Sequence, residues 1–118
     1  MMRTANTDLH LVVRARDVIK EQVKTGVPYV PYVELAKTIG ISYRRLIVLL
    51  QHLVKDDIRN GGPLWASFAA LKTPPPGEGI CGDWFFQTVR KSGIDTGLKQ
   101  NDFMREQRRL CREQTTMS

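Results

Sequence analysis

The amino-acid sequence predicts a mainly α-helical domain with a small β wing, meaning a short strand followed by a stiff loop. Apolar residues recur at helical spacing in five stretches, and glycines or prolines separate these stretches. One short apolar run leads directly into a segment rich in proline and glycine. With 118 residues, 42% of them hydrophobic, the chain suffices for one core. We therefore expect a single domain over residues 7–114, with frayed termini at 1–6 and 115–118.

The first predicted helix covers residues 7–24. Its inner face is apolar and comprises Leu11, Val12, Ala15, Val18, Ile19 and Val23. Thr7 or Asp8 is expected to cap its first turn, because a side-chain oxygen there accepts from a free backbone amide. Gly26 is expected to end the helix, and Pro28 favours an extended segment after it.

A tight turn separates the next two predicted helices. Pro31 can begin the second helix, whose short apolar face contains Leu35, and Gly40 ends it. Ser42 is expected to cap a third helix that continues to about Asn60. One side of this third helix is lined by Leu46, Leu49, Leu50 and Leu53.

The second half of the chain is expected to contain the wing and two closing helices. Residues 64–72 are predicted to form a strand, and residues 73–79 a proline-rich loop. Asp83 is expected to cap a helix over 84–92, and Asn101 or Asp102 to begin the last helix. This element order is typical of a winged helix-turn-helix with an N-terminal helix and two C-terminal helices.

The charge balance favours an anionic partner. Lys and Arg number 18 against 12 Asp and Glu, which gives a net charge of +6. Nucleic acid is the leading candidate, and a merely solvated basic surface is the alternative. The candidate DNA contacts around the turn and along the third helix are Lys37, Ser42, Tyr43, Arg44, Arg45, Gln51 and Lys55. Lys72 and the loop after it are the candidate wing, with Glu78 opposing phosphate contact.

Two apolar residues limit the number of DNA base edges that the third helix can recognise. Val48 is expected to face outwards, with Ile47 beside it, so few side chains there can hydrogen-bond to base edges. Minor-groove or shape-based binding of double-stranded DNA therefore fits better than sequence-specific reading. The alternative is a protein-interaction module on the same scaffold, such as a homodimer or a small regulator or inhibitor, for example one from a mobile element.

Neither catalysis nor a membrane is expected. His10 and His52 are expected at the surface or its boundary. Cys81 and Cys111 lack metal-ligand spacing, and two reduced thiols are favoured over the alternative of one disulfide. We predict a non-enzymatic protein without a cofactor or metal. The aromatic group Trp65, Phe68, Trp84, Phe85 and Phe86 is interpreted as core. A cytoplasmic location is expected, because the N-terminal segment lacks the apolar core of a signal peptide and no apolar run reaches membrane-spanning length.

Residues 31–50, PYVELAKTIGISYRRLIVLL, resemble the DNA-binding segment of the O6-alkylguanine-DNA alkyltransferases and alkyltransferase-like proteins. The matching positions are Tyr32, Leu35, Ala36, Gly40 and Arg44. The resemblance implies minor-groove binding, in which Tyr32 helps to rotate a nucleotide and Arg44 fills the vacated space. The family's Pro-Cys-His-Arg nucleophile motif is absent, so alkyl transfer is not expected. Residues 74–95 also resemble small, uncharacterised bacterial proteins that carry a winged helix alone.

Overall fold

The computed structural model describes residues 2–74, 77–97 and 99–117, with side chains described between residues 9 and 116. It is mainly helical with a small sheet, as predicted. Its elements in chain order are α1 (Met2–Lys24), β1 (Val30–Pro31), α2 (Tyr32–Ile39), α3 (Tyr43–Arg59), a 3-10 turn (Trp65–Phe68), β2 (Ala69–Ala70), α4 (Asp83–Lys91) and α5 (Gln100–Met117).

Helices α1 and α3 form the centre of the molecule. Helix α1 packs against α2, α3, α5 and the 3-10 turn, while α3 also packs against α2 and α4. Ile19 of α1 and Leu50 and Leu53 of α3 are fully buried, as are Phe68 and Phe85. The aromatic group predicted to be core is core, although Trp84 stays half-buried at its edge.

The predicted strand over 64–72 is largely wrong. Its apolar residues Trp65–Phe68 form a 3-10 turn, and the strand β2 that follows has two residues. Strand β2 pairs in parallel with β1, with Val30 opposite Ala69 and Pro31 opposite Ala70. An uninterrupted apolar run has no periodicity to distinguish a strand from a buried turn, which explains the error.

An antiparallel bridge between Leu71 and Ile80 closes the segment 72–79, which we call the wing loop. The bridge contains two backbone hydrogen bonds, of 2.8 Å and 3.2 Å. Pro75 and Pro76, which belong to the predicted loop, lie outside the described residues. The wing loop therefore begins two residues after β2, and this isolated bridge closes its base.

The α2–α3 junction forms as predicted. Gly40 ends α2 with a left-handed φ of 87°, a conformation that glycine adopts without strain from a Cβ. Its amide donates to the Ala36 carbonyl at 2.8 Å. The Ser42 hydroxyl then accepts from the Arg45 amide at 3.2 Å and caps α3. Helix α3 ends at Arg59 with Asn60 as its C-cap, close to the predicted end.

Other helix starts differ from the predictions. Helix α1 begins at Met2, so Thr7 and Asp8 lie within it and cannot be its N-cap. Asp83 is the first residue of α4, and Gly82 takes the cap position without a side-chain hydrogen bond. Helix α5 begins at Gln100, one residue before the predicted start, and continues to Met117. Met1 and Ser118 lie outside the described residues.

A half-buried ion-pair cluster joins α1, α3 and the 3-10 turn. The Arg16 guanidinium donates to Asp57 at 2.9 Å and 3.1 Å and to Asp56 at 2.6 Å. The second Asp57 oxygen accepts from the Trp65 amide at 3.1 Å. Because the Asp57 side chain is only 6% exposed, its charge depends on these three donors for compensation.

Candidate nucleic-acid interface

The solvent face of α3 is basic. Exposed residues recur every three or four positions along it, and they are Arg44, Arg45, Val48, His52, Lys55 and Arg59. Among the described side chains, no carboxylate forms an ion pair with Arg44, Arg45 or Lys55. Arg59 lies 3.6 Å from Asp56 and is the one member of this face with such a pair in the described part of the chain. Arg44, Arg45 and Lys55 are therefore available to bind an external anion.

The N-terminal end of α3 is also open to solvent. Ser42 and Tyr43 are exposed, and the first turn of the helix contains no acidic residue. The amides of a helix N-terminus carry partial positive charge, which adds to that of Arg44 and Arg45. Lys37 is exposed on α2, one turn before the junction. Gln51 is half-buried at the border between the basic face and the core.

Tyr32 requires a correction, because it is not at the surface. Its side chain is 2% exposed, and its hydroxyl accepts from the Gly82 amide at 2.9 Å. Burial raises the pKa of this phenol above its ordinary value. The exposed Tyr43 ring contacts the Tyr32 ring edge-on, with centroids 6.0 Å apart. In this position Tyr32 fixes α4 against α2 and cannot reach a nucleotide.

The wing loop is attached to α5 by two arginines. Arg105 donates to the Glu78 carboxylate at 2.6 Å, and these hydrogen bonds lower the pKa of Glu78. Arg108 donates to the Glu78 carbonyl at 2.5 Å and to the Ser67 carbonyl at 2.7 Å. The expected repulsion between Glu78 and phosphate is thereby reduced, since Arg105 offsets its charge. Lys72 is exposed at the base of the loop, next to the Leu71–Ile80 bridge.

Arg108 is a buried cation, only 3% exposed. Burial lowers its pKa, and the main-chain oxygens that surround it supply most of its hydrogen bonds. The neighbouring Cys81 thiol donates to the Ser67 carbonyl at 3.3 Å, and burial raises the pKa of Cys81 to about 12. A nucleophilic cysteine requires a lowered pKa and access to solvent, so this environment is a structural one. Both cysteines are free, buried thiols.

A groove lies between α1 and α3 and shares Arg44, Arg45, Val48 and His52 with the basic face. Its volume is about 490 Å³, and it is lined by Leu11, Ile41, Arg44, Arg45, Val48, Leu49 and His52. The aliphatic members form its floor, and the basic members lie on α3. Val48 is 50% exposed, as expected for an outward-facing residue.

Several residues of the basic face, the groove and the wing-loop attachment were not predicted as site residues from the sequence. Arg59 and His52 follow from the helical spacing of the exposed face, so extending that spacing along α3 finds both. Leu11 and Ile41 belong to other segments, and their part in the groove depends on how α1 packs. Arg105 and Arg108 carry no sequence signal that distinguishes them from the other arginines of α5.

Comparisons of the chain with protein-family models, curated proteins and solved structures find no match. The resemblance to alkyltransferase-like proteins therefore stays a prediction. Within the described residues, no group of three or more His, Cys, Asp or Glu side chains is placed to hold a metal ion. None of the described helices has the length and apolar character needed to cross a membrane.

Proposed function

We propose that this protein binds double-stranded DNA without catalysis, through the basic face of α3. The observation that carries the proposal is that Arg44, Arg45 and Lys55 are exposed on one face and unpaired with any described carboxylate. The Ser42-capped N-terminus of α3 and the exposed Lys37 lie at one end of this face. Phosphate contacts would supply most of the affinity.

The contacts that we propose are Lys37, Ser42, Tyr43, Arg44, Arg45, Gln51 and Lys55, with Lys72 on the wing loop. Tyr32 is left out because it is buried. Since Val48 interrupts the polar face, the contacts favour DNA shape and backbone over base edges. The α2–turn–α3 arrangement and the wing loop support a winged helix-turn-helix reading of the fold.

The test is fluorescence anisotropy of a labelled random-sequence duplex. We expect the Arg44→Ala/Arg45→Ala variant to bind roughly tenfold or more weakly, because two phosphate contacts are lost. We also expect the wild-type affinity to fall steeply between roughly 50 and 200 mM salt. The matched control is Lys91→Ala/Lys99→Ala, which removes two exposed positive charges elsewhere and should bind nearly as the wild type does.

The two double variants distinguish contacts at the α3 face from the effect of the protein's net charge. Equal weakening by both double variants would show that only net charge matters, and the α3 site would be wrong. Unchanged affinity in a folded Arg44→Ala/Arg45→Ala variant would contradict the proposal as well. Circular dichroism of each variant checks that the helices remain.

A protein-interaction role is the second candidate, and exposed Val48 in the middle of the α3 face favours it. In that case a dimer or partner would cover α3. Light scattering after size exclusion distinguishes the two: a stable dimer that Val48→Glu dissociates would favour this role over DNA binding.

A further inference from the structure

The groove between α1 and α3 has the form of a small-molecule site. Its volume of about 490 Å³ lies within the range of ligand pockets in proteins. Leu49 at its floor is 4% exposed, while Leu11 and Ile41 are half-buried and so retain apolar surface that the core does not cover. A hydrocarbon group placed there would remove this surface from water, which is favourable.

The groove carries positive charge only. Arg44, Arg45 and His52 supply its polar groups, and none of the described residues that line it is acidic. A second groove, of about 440 Å³, lies along α1 and contrasts with it, because there Asp17 and Glu21 offset Arg14. The α1–α3 groove is therefore complementary to a ligand that has an apolar body and an anionic head group.

The limited apolar area favours a small molecule over a protein. The floor consists of four aliphatic side chains, Leu11, Ile41, Val48 and Leu49, next to cations. A stable protein interface engages about 20 to 30 residues a side with an apolar centre. The apolar area of these four side chains is sufficient to bind one alkyl chain.

We propose that the α1–α3 groove binds an alkyl carboxylate of medium chain length. The alkyl chain lies on Leu11, Ile41 and Leu49, and the carboxylate faces the guanidinium groups of Arg44 and Arg45. The binding is non-covalent and requires no DNA, so it goes beyond the proposed function. Because the ligand covers one side of α3, it also reduces the basic surface available to an anionic partner.

The test is calorimetric titration of the full chain with decanoate below its micelle concentration, together with amide shifts in two-dimensional NMR. A dissociation constant of about 1 mM or tighter is expected for a ligand of this size. The amide shifts should be largest near Leu11, Ile41 and Val48. Decanol and decyltrimethylammonium, which keep the chain but lack the anion, should bind at least about tenfold more weakly.

Two variants and a control locate the site. Val48→Glu replaces one of the four aliphatic side chains of the floor with a carboxylate, and Arg45→Gln removes a cation, so each should weaken decanoate binding about tenfold or more. Lys37→Gln removes one positive charge from α2 outside the groove lining and should change the affinity less than about twofold. Val48 and Arg45 are both exposed, so the variants should keep the wild-type circular dichroism spectrum.

Absence of decanoate binding would overturn the proposal. So would equal binding of the cationic detergent, or equal affinities for the wild type and Val48→Glu. Because the titration contains no DNA, its result is independent of whether the basic face binds a duplex. A protein that binds DNA but not decanoate would retain the proposed function and lose this inference alone.

Discussion

Single polar side chains hold distant segments of this protein together. Asp57 accepts hydrogen bonds from Arg16 on α1 and from the Trp65 amide, so one carboxylate joins three elements. Arg108 does the same for the wing loop, through carbonyl oxygens of Ser67, Glu78 and Gly79. Each of these groups is buried, so losing a partner leaves an uncompensated charge or polar atom.

Replacing Asp57 by alanine should lower the free energy of unfolding by about 3 kcal/mol. The variant leaves Arg16 with Asp56 alone and the Trp65 amide without its acceptor. Urea unfolding followed by circular dichroism measures the change. Glu21→Ala is the control, because its ion pair with Lys24 is exposed, and its stability should stay close to that of the wild type. Similar losses in both variants would contradict the role assigned to Asp57.

Residue roles were partly predictable from sequence. The cap at Ser42 follows from local chemistry, because its acceptor and donor lie three residues apart. The burial of Tyr32 does not, since its partner Gly82 lies fifty residues further along the chain. The buried state of Arg108 is equally non-local, because its acceptors belong to the 3-10 turn and the wing loop. Local rules cannot predict partners that tertiary packing brings together.

At the level of elements, the α2–α3 junction depends on the left-handed glycine between the helices. Gly40→Ala should destabilise the protein by about 1 kcal/mol, because an L-residue is strained at a φ of 87°. A Cβ there meets nothing within 4 Å, so the loss reports backbone strain alone. Gly62 has open space as well but no left-handed φ, so Gly62→Ala is the matched control. Thermal unfolding of the two variants checks this, and equal stabilities would contradict it.

The elements themselves were predicted to different degrees. The inner faces of α1 and α3 follow from the spacing of their apolar residues. Helix α3 lies where that spacing puts it, whereas α1 begins five residues before its predicted start. Every residue of the run from Trp65 to Phe68 is buried, including the polar Ser67, so its pattern carries no conformational signal. Of the predicted α3 contacts, Tyr43, Arg44, Arg45 and Lys55 are exposed and Gln51 is half-buried. The groove could not be predicted, because it depends on how α1 packs against α3.

At the scale of the whole molecule, the two buried cysteine thiols predict a loss of stability at alkaline pH. Burial raises the pKa of Cys81 and of Cys111 to about 12, from an ordinary value of 9.0. Well below pH 9.0 both thiols are protonated in the folded and the unfolded chain, so they have no effect on the pH dependence there. Above it only the unfolded chain loses these protons, so the free energy of unfolding falls as pH rises towards 12.

The expected slope is about 1.4 kcal/mol per pH unit for each thiol. Lysines and tyrosines titrate in the same range, so the measurement compares the wild type with Cys81→Ala/Cys111→Ala. Urea unfolding at a series of pH values should show a shallower alkaline decline in the double variant. Parallel declines would mean that the thiols ionise equally in both states, contrary to their burial.

The attachment of the wing loop to α5 has a consequence for synthesis on the ribosome. Arg105 and Arg108 follow Glu78 by 27 and 30 residues, so the loop emerges well before the side chains that hold it. Helix α1 emerges earliest and packs against α5, which emerges last. A nascent chain can form α2, the turn and α3 from local contacts. It cannot complete its core until α5 has left the exit tunnel, because α5 packs against α1 and the 3-10 turn.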